Sequence, residues 1–264
     1  LFTDATENLR SSRGLDAHEI AHQWFGDLVT CRDWSHLWLN EGFATYYSLL
    51  YDRELLGNDH FKHGLHGSAR GIFNHDKDTT PMVHTGYSNP MQQFSFRAYP
   101  KGSWILHMLR SELGEDLYRE CVKTYLERHR YKTAVTQDLV EIFEEFSGRS
   151  LSQFFDQWVY LSGYPELKVQ YSWDELTRQA KLSITQVQMT NEKRPFFRFN
   201  LPVKFVVGDK TELRTIEISR EREDFYLTLE AAPRVVRFDP EVTVLAKVNF
   251  EPNGPGVLFD ALDP

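Results

Sequence analysis

Apolar residues recur at helical spacing along the first part of the chain and at alternate positions along the second, and the period changes near Gly163-Tyr164-Pro165. Before that point the pattern predicts a helix over 16–28 and another over 37–55, stopped by Gly57. Asn58 can cap a third helix that runs towards Phe73. Pro, Gly, Ser, Asn and Thr crowd 79–96, which predicts a long loop. Helical spacing resumes at Ile105, Met108 and Leu109, then at Leu117, Cys121 and Tyr125. Thr136 can cap a helix with Leu139, Ile142, Phe143 and Phe146 inward, and Ser150 can open one with Leu151, Phe154, Phe155 and Trp158 on one side.

After Pro165, Leu167, Val169, Tyr171 and Trp173 alternate with polar neighbours, as do Leu201, Val203, Phe205 and Val207, and again Phe225, Leu227 and Leu229. "VGDK" and "EREDF" read as turns, so 164–250 is expected to hold six or seven short strands in a small antiparallel β-sandwich. The expected fold class is multi-domain α+β, with a mainly helical domain over 1–163, the sandwich over 164–250, and a Pro- and Gly-rich linker or tail over 251–264.

Charge narrows the partners. Thirty basic against thirty-eight acidic residues give a formal charge of -8, which argues against nucleic acid or an anionic membrane as the main partner. No apolar run approaches the length of a spanning helix. The N-terminus has neither an initiator methionine nor the form of a signal peptide, so the chain reads as an excised or processed piece, with its compartment open. Cys31 and Cys121 are too few for a disulfide scaffold and read as buried thiols.

The chemistry concentrates in "HEIAHQWFGDLVTCRDWSHLWLNEGFATYY", residues 18–47. Positions four apart share a helix face, so His18 and His22 point the same way, about 6 Å apart at Cβ. That is a good bite for one zinc ion. Glu41, on the next predicted helix, can be the third ligand, and two His with one Glu leave the fourth place to water. Glu19 is rotated about 100° from His18, outside the ligand set but near that water, where it can act as general base. Two surface histidines with a chance i,i+4 spacing are the plainer alternative, which the addition of Glu41 disfavours.

With these residues in view, "HEIAHQWFGDLVT" followed by "WLNEGFATY" resembles the alanyl-aminopeptidase and leukotriene-hydrolase family of zinc metallopeptidases. Tyr99-Pro100-Lys101-Gly102 is similar to that family's tyrosine-x-Lys-Gly signature, and "QWVYLSGYPEL" resembles the segment that closes its catalytic domain. The resemblance implies a thermolysin-like catalytic domain followed by a β-sandwich, one zinc ion, a peptide substrate, and Tyr99 as a phenol that stabilises the oxyanion. It also implies absent parts: the upstream Gly-x-Met-Glu-Asn strand whose glutamate holds the substrate's α-amine, the N-terminal β-domain and the C-terminal helical domain. Thr6-Glu7-Asn8 lacks the Gly and Met and reads as the approach to the first helix.

Aminopeptidase is the leading expectation. An endopeptidase or other zinc hydrolase on the same core stays open, as do an inactive fragment and a scaffold merely braced by metal. His60, His63 and His66 read as a solvated helix face, and Trp24, Trp34, Trp38 and Phe43 as core. Asp27 is either an outer partner of a ligand histidine or a plain loop residue. Arg97 reads as a surface residue.

Overall fold

A computed structural model describes residues 12–251 and 258–260. The chain divides between Leu161 and Ser162 into two compact units. The first is built of α1 (Arg13–Ala21), α2 (Trp38–Leu56), α3 (Asn58–Phe73), α4 (Gly102–Leu113), α5 (Glu115–Arg128), α6 (Thr136–Ser147) and α7 (Ser152–Phe155), with a parallel strand pair β1 (Val29–Cys31) and β2 (Lys132–Ala134). Every helix that the periodicity implies is present, but α1 stops seven residues short of its expected end at 28, and α7 gives way after Phe155 to a π-helical turn, Asp156–Tyr160, that carries Trp158.

α2 is the axis of the first unit, packed against α1, α3 and α4. Its N-terminal half is buried on all sides: Trp38, Leu39, Glu41, Gly42, Phe43, Ala44 and Tyr46 are all inside. A helix enclosed this way needs apolar or small residues around most of its circumference, and "WLNEGFATY" supplies them with two exceptions, Asn40 and Glu41. Further along, the Tyr46 hydroxyl meets His107 Nδ1 at 3.0 Å and accepts from Arg110 Nη1 at 3.1 Å, tying α2 to α4 through buried polar groups.

The loop over 79–96 is ordered by its own side chains. Met82 and Gln93 are buried, and Asn89 caps a short 3-10 turn, Pro90–Gln93. Arg97 forms an ion pair with Asp78 and lies over the Phe96 ring. Its side chain is only 12% exposed, so the expected surface role is corrected: it braces the loop. Between Arg97 and Lys101 the chain makes one π-helical turn before α4. Pro100 has no N–H to give an α-helical bond, and the Lys101 N–H reaches back five residues to the Phe96 carbonyl at 2.9 Å.

The second unit holds two four-stranded sheets around one core. One has the order β7 (Arg222–Thr228), β4 (Gln179–Gln186), β3 (Glu166–Asp174), β9 (Lys247–Glu251). The other runs β10 (Leu258–Asp260), β8 (Val235–Phe238), β5 (Phe199–Val207), β6 (Lys210–Ile218). Alternate residues Leu167, Val169 and Tyr171 on β3 meet Leu201, Val203 and Phe205 of β5 in the shared core. Two features differ from the sequence reading. The pairs β3–β9 and β8–β10 are parallel, so the sheets are mixed, and the stretch read as a tail contributes β10. "EREDF" lies largely within β7, and the turn precedes it, closed by the Glu223 carboxylate on the Ser219 and Arg220 amides at 2.7 and 3.1 Å. Both cysteines are free thiols, Cys121 buried and Cys31 half-buried. Among the described residues no helix is long and apolar enough to cross a membrane.

Burial opposes the charge of Asp78, but the Thr80 amide and the Arg97 guanidinium outweigh it and hold the carboxyl below its ordinary value. A depressed folded-state pKa contributes stability that is full above the unfolded value near about 4 and is lost as pH falls through the folded one. Asp78→Asn is therefore expected to lower the urea midpoint of the first unit at neutral pH and to flatten its decline below about pH 4. Unfolding curves across that range provide the check.

Candidate metal centre

The site begins with the way α1 ends. His22 sits just past the helix with φ -61° and ψ -20°, still helical, so it keeps the i,i+4 relation to His18. Beyond it the coil widens: Asp27 N–H bonds to the His22 carbonyl at 2.9 Å and Leu28 N–H to the Gln23 carbonyl at 3.2 Å, each reaching back five residues. The turn closes at Gly26, whose φ of +147° is open to glycine and strained for other residues. A Cβ there would stand 3.2 Å from His22 Nδ1, so the same glycine leaves room for the imidazole.

His18, His22 and Glu41 converge. His18 Nε2 and His22 Nε2 each lie 3.2 Å from Glu41 Oε2 and 3.1 Å from one another. His22 Nδ1 faces the Phe25 carbonyl at 2.9 Å. A carbonyl only accepts, so Nδ1 carries a proton and Nε2 faces the other two ligand atoms: it donates to Glu41 when the ring is an imidazolium and presents a lone pair to a cation when the ring is neutral. Glu41 is 8% exposed. Burial works against its ionisation, but hydrogen bonds from His18 and His22 prevail and bring its pKa down to about 2. Three electron-pair donors facing one point need a cation there. Ligands at about 2.0–2.2 Å around a tetrahedral centre stand roughly 3.3–3.6 Å apart, so the triangle needs to open by only a few tenths of an ångström to take one zinc ion. Among the described residues this is the cluster that could hold a metal.

Two further groups border it. The Tyr99 ring stacks beside His18, with centroids 6.0 Å apart and planes 15° from parallel. Burial first, then the neighbouring Glu41 and Glu19 carboxylates, push its phenol up to about 12. Glu19 lies on the exposed side of α1, close enough to act electrostatically on both His22 and Tyr99.

Other readings change. Asp27 accepts from Gln23 Nε2 at 3.0 Å, and the group that orients His22 is the Phe25 carbonyl, a backbone atom that no residue type announces. Trp38 and Phe43 are core, but Trp24 and Trp34 are 47% and 43% exposed. Trp34 packs on Phe94, and Trp24 lines a cleft of about 690 Å³ with Tyr47, Tyr51 and Tyr118 that includes none of the ligand residues. His60 and His63 are exposed and His66 is half-buried. Thr6-Glu7-Asn8 lies outside the described residues. Asn40, which the sequence reading passed over, accepts the Cys31 amide at 3.0 Å and fastens β1 to the helix that carries Glu41.

Two imidazoles and a buried carboxylate on neighbouring helices thus form a candidate metal centre. Residues 2–158 match the Peptidase family M1 domain, and the chain belongs to that family. Aminopeptidase N of Lactococcus lactis subsp. lactis is 34% identical over 172 residues, covering 62% of this chain and 20% of that protein. Glutamyl aminopeptidase of Bitis rhinoceros is 29% identical over 280 residues, covering 96% of this chain and 28% of the relative. The chain therefore spans well under a third of the length of these relatives. The crystal structure of Legionella pneumophila aminopeptidase A in complex with aspartic acid matches with a TM-score of 0.72 over 90% of this chain and 27% of that one. At 22% identity that likeness is one of fold.

Gly26→Ala is expected to weaken zinc binding about 10–100-fold, the usual cost of disturbing a group that orients a ligand histidine. Competition with a chromophoric chelator measures it, and an unchanged affinity would detach the Gly26 turn from His22.

Proposed function

We propose that this chain is the zinc-holding catalytic segment of an aminopeptidase, a hydrolase that removes N-terminal residues from peptides. The observation that carries the reading is the convergence of His18 Nε2, His22 Nε2 and Glu41 Oε2 with Glu19 and Tyr99 at its border. In this reading the first unit is a thermolysin-like catalytic domain and the second its β-sandwich companion. His18, His22 and Glu41 hold one zinc ion. When bound, zinc supplies Lewis acidity, polarising a carbonyl oxygen and lowering the pKa of water towards about 7.

The chain's own residues do the rest. Glu19, outside the ligand set, takes a proton from the attacking water and delivers it to the leaving amine. Tyr99, with its phenol pushed up to about 12, stays protonated at neutral pH and donates a hydrogen bond to the oxyanion. Glu41, with its pKa brought down to about 2, stays anionic and donates nothing. The Phe25 carbonyl keeps the His22 ring in one tautomer. The relatives are several times longer than this chain, and we assign the grip on the substrate's α-amine to an upstream Gly-x-Met-Glu-Asn strand and the closing walls to the N-terminal β-domain and the C-terminal helical domain of such a protein.

Glu19→Gln should leave zinc stoichiometry intact and reduce turnover of a free aminoacyl anilide by at least about 10²-fold, while Tyr99→Phe should lower kcat about 10²–10³-fold. Turnover that persists in the Gln variant removes Glu19 from the chemistry. Preferential cleavage of N-blocked over free peptides would replace the aminopeptidase reading with an endopeptidase one.

A further inference from the structure

Gly42 follows Glu41 on α2, and Gly102 opens α4 three residues after Tyr99. The two helices touch there through bare backbone. A Cβ on Gly42 would stand 2.9 Å from both Cα and the carbonyl carbon of Gly102, and 3.2 Å from the Ala98 carbonyl oxygen. A Cβ on Gly102 would stand 2.9 Å from Gly42 Cα. These neighbours are main-chain atoms and cannot rotate aside. Ala98 and Gly102 bracket Tyr99, so the contact bears on both ends of the π-helical turn that carries the phenol. Glycine inside a helix is destabilising relative to alanine, and α2 carries that cost at its crossing with α4.

We propose that Gly42 and Gly102 are positioning residues: their contact sets the place of the Tyr99 hydroxyl relative to Glu41. The inference rests on the reading of Tyr99 as oxyanion donor for its functional meaning, but its geometric content is separate. A side chain at the crossing would lift the start of α4 from α2. The far end of the pair stays tied by Tyr46, His107 and Arg110, so the displacement falls on the Tyr99 turn. The three ligands lie along α1 and α2 and remain together.

The test uses the full chain with cobalt(II) as probe and ring-¹³C tyrosine labelling, Tyr99 being assigned as the resonance lost in Tyr99→Phe. In Gly42→Ala and Gly102→Ala, cobalt affinity should stay close to that of the parent while the paramagnetic effect on Tyr99 falls severalfold. In turnover, Gly102→Ala should lower kcat with KM unchanged, and should cost nothing further on a Tyr99→Phe background. An unchanged paramagnetic effect, additive losses in the double variant, or loss of cobalt binding through unfolding would each overturn the proposal. The last outcome would mean that the glycines hold the whole unit and not the phenol. If Tyr99→Phe alone leaves turnover intact, the oxyanion reading fails, and the cobalt measurement still decides the positioning claim.

Discussion

A carboxylate sits where the fold can least accommodate one. Glu41 lies in the enclosed half of α2, among Trp38, Leu39, Phe43 and Ala44, and an ion in such surroundings costs several kcal/mol unless it is matched. The match comes from α1, which lays His18 and His22 against it. Each side of the arrangement constrains the other. The imidazoles must stand on one face at the end of α1, α1 must lie along α2, and the ligand atoms then stand about as far apart as zinc requires. With one histidine removed, the remaining pair would leave a buried charge undercompensated. The same geometry that makes Glu41 tolerable makes the centre capable of holding a cation.

Local periodicity carries this much because the site rests on local spacing. His18 and His22 are read from a separation of four, and α2 from its helical spacing and its stop at Gly57. The parts that escaped the sequence reading depend on contacts between distant residues or on backbone atoms. The Phe25 carbonyl belongs to no motif. Asn40 acts through its hydrogen bond to β1, and β1 pairs with β2 a hundred residues on. Alternation along β3 identifies its core face but not its neighbours, so the parallel partner β9 was not legible. Trp24 and Trp34 were assigned to the core by residue type, and residue type does not say which faces of a unit lie open. A usable signal is present in the glycines: Gly26 and Gly42 interrupt otherwise good helical sequence, Gly102 opens a helix, and each has a steric reason in the structure.

The second unit follows a different logic. Its core is apolar and supplied by strict alternation, but the end of β4 carries a buried polar knot. Gln186 donates to the Phe197 and Arg220 carbonyls at 2.8 and 3.1 Å and accepts from the Phe197 amide at 2.8 Å and from Gln188 Nε2 at 3.0 Å. Two glutamines thereby satisfy backbone groups where the strands part, which an apolar pair of similar size could not do.

Two of the departures from ideal helix geometry in the first unit border the site; a further π-helical turn, Asp156–Tyr160, follows α7. α1 widens just after His22 into bonds that span five residues, and α4 is preceded by a π-helical turn, Arg97–Lys101, that carries Tyr99. A regular helix places side chains at fixed 100° steps, which suffices for two ligands four apart but not for bringing a phenol from a third segment against the same carboxylate. The wider turns rotate the chain by amounts a regular helix does not offer, and a specific residue enforces each one: Gly26 through its φ, Pro100 through its missing N–H. Each is locally disfavoured in a helix. Both stand where side chains from separate segments meet, which ties these two irregularities to the aim of the imidazole and the phenol.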